Sequence, residues 1–270
     1  AIILLMAVAT LAYSGFAIAP MASVIVLSSI VSSSAISSVG PLIEGVTLKT
    51  ALLHRFDYGR VRSFGSAAFI VMNFASGVYL AQTGISHFLV LLLGSALLAC
   101  IGSLMLPVEE KPEHPHEKLH VWRDVKALVR QPAFAMFLLA ASLAQSCHAF
   151  YYGFGTLNWK AIGYSPALIG FLWGLGVMAE IVLFTFSNRV VHWLGPVKLM
   201  VIGTSAGLLR WTLLALSPPL WLLLPVQCLH AGTFGAAHLG AMHFIARAMP
   251  ERLGATAQGI YSATTAGVVM

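Results

Sequence analysis

The sequence predicts an all-α membrane protein, a polytopic bundle of apolar helices in two parts. Three observations carry this. The 270 residues are 59% hydrophobic and only 9% charged, with a mean hydropathy of +0.87, whereas soluble domains carry about 25% charged residues. The apolar residues fall in runs of spanning length: residues 1–43 and 63–108 contain no Asp, Glu, Lys or Arg. The charge is gathered instead in one stretch, 107–131, which holds Glu109, Glu110, Glu113, Glu117 and Asp124 beside Lys111, Lys118, Arg123, Lys126 and Arg130. That stretch reads as a water-exposed loop between two groups of spans.

A spanning helix needs about 20 apolar residues, so 1–43 holds two. Their break falls near Tyr13-Ser14-Gly15 and Pro20, which are turn formers. The second span, near 20–46, is rich in serines that allow close helix approach and hydrogen bonds between helices. It reaches Glu44, and a basic segment with Lys49, Arg55, Arg60 and Arg62 follows. Two further spans, near 64–81 and 87–106, are separated by Gln82-Thr83-Gly84. Within the central loop, Leu119 to Arg130 is expected to form a short surface helix, with Val121, Val125, Leu128 and Val129 toward the membrane face. Spans follow near 133–158, 166–187, 197–215 and 220–245, with a ninth starting near 256. Pro218-Pro219 and Pro250 mark connections, because proline lacks the amide that would continue a helix. The expected organisation is an N-terminal bundle, 1–106, a cytoplasmic loop, 107–132, and a C-terminal bundle, 133–270. The chain begins with Ala1 and ends at Met270 inside an apolar run, so both ends read as cut.

Placing the central loop in the cytoplasm puts 47–63, 188–198 and 246–255 there too. Together with the central loop, these segments hold 13 of the 15 Lys and Arg residues, the asymmetry that the positive-inside rule predicts. The net charge of +6 is thereby accounted for by span-flanking bases, with no nucleic-acid partner implied. Cys100, Cys147 and Cys228 lie in apolar runs without metal-ligand spacing and are expected to be buried thiols. There is no HExxH, P-loop, GxSxG or CxxC motif, so neither an enzyme nor a cofactor is indicated. His114 and His116, among carboxylates in the loop, read as solvated side chains and not as a metal site.

The informative residues are the polar ones left inside spans, where a charge at mid-bilayer costs about 2.5–3.5 kcal/mol on insertion scales. Glu180 shares a helix face with Trp173, Gly176, Phe184 and Ser187. It reads as a protonatable or substrate-binding group, as half of an interhelical ion pair, or as a helix-end residue snorkelling to water. Arg210, on a face with Gly203, Ala206 and Gly207, is the natural counter-charge for Glu180 or for an anionic ligand. In span 220–245, Gln227, His230, Phe234, His238 and Ala241 fall within about 80° of arc. Two imidazoles and an amide on one stripe suggest a ligand or proton-relay role, against the plain alternative of hydrogen-bonded core residues. In span 133–158, Gln145, His148 and Tyr152 share a face, with Tyr151 and Asn158 nearby. Trp159 and Lys160 are expected at the outer boundary. Glu44 is expected to serve a gate or to neutralise a helix end.

Specific words in the chain resemble a known family. Asp57-Tyr58-Gly59-Arg60-Val61-Arg62 followed by Gly65-Ser66 is similar to the DYGxVRxWGS signature of the phenylpropionate permeases in the major facilitator superfamily, with Phe64 in place of the tryptophan. Pro41-Leu42-Ile43-Glu44 resembles that family's PLxD, with Glu for Asp. His148-Ala149 with Tyr151 to Phe154, Gly174 to Glu180 with Ser187-Asn188, Arg210-Trp211, and Gln227 to Phe234 with His238-Leu239 resemble further family words in the same order. Members have twelve spans, so the chain resembles spans three to eleven.

The resemblance implies proton-coupled symport of a small organic substrate across a bacterial inner membrane, and it leaves the substrate open. Under it, Glu180, Arg210, His148, Tyr152, Gln227, His230, His238 and Phe234 are the expected substrate and proton pathway. Glu44, Asp57, Arg60 and Arg62 are the expected cytoplasmic gate. An aromatic carboxylate is the expected cargo; a nucleoside or sugar permease on the same scaffold and a non-transporting membrane receptor are the alternatives. The expected partners are substrate, protons and lipid, with the protein a monomer.

Overall fold

The structure is a computed structural model that describes residues 1–18, 21–106, 121–250 and 253–268. The charged half of the central loop, with His114 and His116, lies outside the described residues. Each expected span is helical: α1 (Ile2–Ile18), α2 (Ala22–His54), α3 (Tyr58–Thr83), α4 (Phe88–Ser103), α6 (Pro132–Ala161), α7 (Pro166–Thr185), α8 (Ser187–Ala215), a composite of α9 (Leu220–Cys228) and α10 (Ala237–Ala248), and α11 (Gly254–Ser262). The surface helix is α5 (Val121–Arg130). Among the described residues, six helices are long and apolar enough to cross a membrane, and α1 and α4 are shorter apolar helices.

Local chemistry explains the boundaries. Ser165 caps α7 by accepting the Leu168 amide, and Pro166 occupies the first turn, where its missing N–H is not needed. Within α8 the chain bends at Gly195, whose φ of 74° suits a residue without a side chain, and Pro196 restarts the helix. The expected connection at 188–198 is therefore a short helical piece and a kink. Span two continues past its expected end, through the basic segment to His54, carrying Pro41 inside it. Between α9 and α10, residues Ala231–Ala236 form a π-helix directly after His230, a widened turn often found at functional sites.

The chain divides into two compact units, residues 1–47 with 71–118 and residues 48–70 with 119–270. In the N-terminal unit α1 packs on α4, and Thr10 Oγ1 donates to Met6 O at 2.8 Å and lies 3.3 Å from Ala96 O. The serines of α2 mostly satisfy themselves: Ser29 donates to Ile25 O and Ser37 to Ser33 O, each one turn back. Ser28 is the one that faces α1, under Gly15, where a Cβ would strike its hydroxyl.

The other unit holds α5 to α11 and the start of α3. Close approach of α8 and α10 depends on glycine: a Cβ on Gly203 would lie 2.8 Å from Gly232 O, and one on Gly240 would lie 2.7 Å from Pro196 O. Its core runs through Phe134, Phe137, Phe184, Leu199, Leu239 and Ile245. Two expectations are corrected here, for α5 and the cysteines, and one, for Trp159, is refined. Helix α5 buries Asp124 and Leu128 against α6 and α11 and leaves Val129 exposed, because the neighbouring helices, not the membrane, cover that face. Trp159, near the C-terminal end of α6, has its ring buried against Tyr151 and Trp173, so it packs on protein. Cys147 and Cys228 are exposed and Cys100 is half-buried; on a span an exposed thiol meets hydrocarbon, where it behaves as a small apolar group.

Candidate functional site

Five spans of the second unit, α3, α6, α7, α8 and the α9–α10 composite, bring polar residues to one place. The face of α7 with Gly176, Glu180 and Phe184 is its buried face, and Ser187, expected on the same face, is buried at the start of α8. Glu180 is 4% exposed, Arg210 1%, His148 0%, Gln227 1% and His230 8%. A buried charge survives only with partners, and each has them. Glu180 Oε1 accepts from Ser66 Oγ at 2.7 Å, and its Oε2 stands 3.5 Å from His230 Nε2. Arg210 Nη1 donates to His230 Nδ1 at 3.2 Å and to Thr233 Oγ1 at 3.1 Å, while Nη2 donates to Gln227 Oε1 at 3.2 Å. Gln227 Oε1 also accepts from Tyr151 Oη at 2.6 Å. His148 Nε2 lies 3.2 Å from Thr233 Oγ1. Arg62 Nη1 donates to Ser66 Oγ at 3.2 Å. The result is one continuous path, Arg62–Ser66–Glu180–His230–Arg210, branching to Gln227–Tyr151 and Thr233–His148.

Arg210 and Glu180, expected as direct counter-charges, are not paired: His230 stands between them. Among the described residues the guanidinium contacts no carboxylate, and its Nε has no partner. Its positive charge is met by neutral acceptors and by the rings of Tyr151 and Trp211, whose centroids lie 4.7 and 4.9 Å from Cζ. Those two rings also line a cavity of about 350 Å³, with Phe150, Phe154, Trp159 and Tyr164 on its other walls.

The histidine stripe holds. His230, Phe234 and His238 stack along it, with ring planes 10° and 2° apart. His238 Nε2 lies 3.3 Å from Tyr58 Oη. On α6 the buried face is centred on Tyr151, not Tyr152: Tyr152 lies beside His148, ring centroids 5.6 Å apart, but is 42% exposed. His243 meets the edge of Tyr58.

The motif at the start of α3 also finds partners. Asp57 Oδ1 accepts the Gly59 amide at 2.9 Å, capping the helix, and accepts from Ser187 Oγ at the head of α8. A Cβ on Gly59 would collide with Ser187 Oγ and lie 2.7 Å from Phe184 O, so only glycine fits there. Arg60 is exposed and forms a loose pair with Asp57. Arg62 lies over Phe184. Glu44 belongs to the other unit, half-buried in α2.

Ser66, Tyr151, Thr233 and Trp211 are the cluster members to which sequence reasoning gave no role. Signals existed: Ser66 is one turn after Arg62, and Thr233 is one turn after His230. Among the described residues no three His, Cys, Asp or Glu side chains are grouped to hold a metal ion.

Comparison with known proteins gives consistent findings. The pattern of the MFS_1 like family matches residues 1–269. The chain is 34% identical over 212 residues to the probable 3-phenylpropionic acid transporter of Escherichia coli (strain K12), covering 78% of this chain and 55% of that protein. It is 24% identical over 230 residues to the uncharacterized transporter YwbF of Bacillus subtilis (strain 168), covering 84% and 56%. It is 25% identical over 235 residues to a maltose permease of Geobacillus stearothermophilus, covering 86% and 58%. The chain thus spans about half the length of the curated relatives it matches. These relatives are named as transporters and a permease, not as enzymes.

Proposed function

The chain belongs to the MFS_1 like family, and from that premise we propose that it acts as part of a secondary active transporter that moves a small organic acid together with protons. It is a multi-pass integral membrane protein, and we place it in a bacterial plasma membrane. The observation that supports the reading is the buried path from Arg62 through Ser66, Glu180 and His230 to Arg210. Burying so many ionisable groups in a span is expensive, and a purely structural bundle has no use for it. The arginine without an acid favours an anionic cargo over a sugar or a nucleoside. An aromatic carboxylate fits best, in keeping with the name of the Escherichia coli relative: Arg210 and the histidines take the carboxylate, and Phe234 and Tyr152 lie against the ring.

Transport proceeds by alternating access, with residues 1–106 rocking against 133–270 about a central cavity. The contacts of Asp57 with Ser187, Tyr58 with His238 and Ser66 with Glu180 then act as the gate that opens in each cycle, with Arg60 and Arg62 as its charged members. A titratable group's hold on its proton changes as burial and neighbouring charges change, so the Ser66–Glu180–His230 contacts link the gate to the proton site. The protein works as a monomer.

The test is a proton-flux assay of the full-length protein in proteoliposomes, against a panel of aromatic acids, sugars and nucleosides. Aromatic acids should drive proton entry and the others should not. Sugar-driven flux would transfer the site to the sugar reading, and saturable binding without any flux would leave a receptor in place of a carrier.

A further inference from the structure

The contact between Arg210 and His230 restricts where a proton can sit. A guanidinium has five N–H donors and no acceptor. The 3.2 Å approach of Arg210 Nη1 to His230 Nδ1 therefore needs a bare lone pair on Nδ1. The one ring proton of neutral His230 is then on Nε2, the nitrogen that faces Glu180 Oε2. The tautomer is assigned by the groups on its two sides. The ring has little room to turn. Phe234 stacks on it at 5.4 Å between centroids, and a Cβ on Gly176 of α7 would already lie 3.2 Å from His230 Cβ.

The other charged and titratable groups do not compete for Nδ1. Glu180 of α7 holds the opposite nitrogen. His148 of α6 meets the ring at 69° between planes, its own Nε2 near Thr233, with Tyr151 and Tyr152 beyond it. On α3, Arg62 reaches Ser66 and Tyr58 reaches His238. A second proton on His230 has one place to go, Nδ1, and there its N–H would oppose the N–H of Arg210.

We propose that the transported proton and the carboxylate bind together at this junction: the proton on His230 Nδ1, and the carboxylate between Nδ1–H and Arg210 Nη1, accepting from both. This rests on the carrier reading above and sharpens it. Without cargo, the Nδ1 lone pair occupies the arginine. With cargo, one proton and one carboxylate enter, their charges cancel, and the anion replaces the lone pair as acceptor for Arg210. A proton alone sets donor against donor. An anion alone lies beside the Nδ1 lone pair, which repels it. Each therefore favours the other, and Glu180 stays ionised as the fixed counter-charge of His230.

The experiment is ¹⁵N NMR of histidine-labelled full-length protein in lipid nanodiscs, with benzoate as probe and His230→Asn to assign the signal. Without benzoate at neutral pH, His230 should carry its proton on Nε2 alone; a proton on Nδ1 overturns the proposal. Saturating benzoate should protonate Nδ1 as well; a bare Nδ1 in the benzoate complex overturns it. One proton linked to one anion makes the benzoate Kd rise up to about tenfold per pH unit above the titration of the site. In His230→Asn, where the amide oxygen still accepts from Arg210, that slope should vanish. A slope that persists places the proton elsewhere and sinks this inference alone. Absence of benzoate binding at every pH sinks the aromatic-carboxylate reading together with it.

Discussion

Replacing Arg210 by methionine separates the two roles of the arginine, structural and anion-binding, and the structure gives both magnitudes. Three acceptors lose a donor. Gln227 Oε1 keeps Tyr151 Oη at 2.6 Å, and Thr233 Oγ1 keeps His148 at 3.2 Å and its own bond to His230 O at 3.4 Å. His230 Nδ1 alone is left without a partner. One orphaned buried acceptor costs about 1–3 kcal/mol. The lost cation–π contacts with Tyr151 and Trp211 are partly replaced by sulfur–aromatic contacts of about 0.3–1.5 kcal/mol. The variant should therefore fold, with a modestly lower thermal transition. Binding of an aromatic carboxylate is another matter. Deleting one member of a buried, hydrogen-bonded charge pair costs about 2–5 kcal/mol, which weakens the Kd by about 30-fold to several thousand-fold. Calorimetric titration of the purified full-length variant, beside its unfolding curve, reads both. A folded variant whose affinity stays within about threefold of the parent would refute the assignment of Arg210 as the anion's seat.

Three further outcomes follow from other contacts. Glu180→Gln removes the anion that balances an added proton on His230 and sets an amide donor toward Ser66 or His230; uphill uptake driven by a pH gradient should be lost while substrate exchange persists, and unchanged uphill uptake would count against the role. Gly59→Ala puts a methyl group against Ser187 Oγ and Phe184 O, forcing α3 off α7 and α8 at about 1–3 kcal/mol; a lower unfolding temperature and slower exchange should both appear. Tyr151→Phe deletes a donor that Gln227 Oε1 can spare, since Arg210 Nη2 still reaches it at 3.2 Å; the loss should stay near 0.5–1.5 kcal/mol, about a threefold to tenfold effect on substrate binding.

Much of this molecule is legible in its residues taken one span at a time. Run length places the helices, because hydrocarbon leaves a backbone no partner but itself. The 3.6-residue period places Gly176, Glu180 and Phe184 on one face and His230, Phe234 and His238 on one stripe, since both depend on the local geometry of one span. Which face of α6 turns inward depends on its neighbours, and so Tyr151, not Tyr152, joins the cluster. The same limit applies to the pairing of charges. Glu180 and Arg210 stand out as lone ionisable residues in apolar runs, but their spacing along the chain says nothing of what lies between them.

Only the packing of α7, α8 and the π-turn after His230 inserts an imidazole there, and only the seating of Gly59 under Ser187 carries Ser66 to Glu180. Composition and period thus determined that this chain crosses a membrane and which side chains are too costly to bury idly. Contact between helices decided which of them meet, because a hydrogen bond of about 3 Å is set by how two helices pack and by neither helix alone.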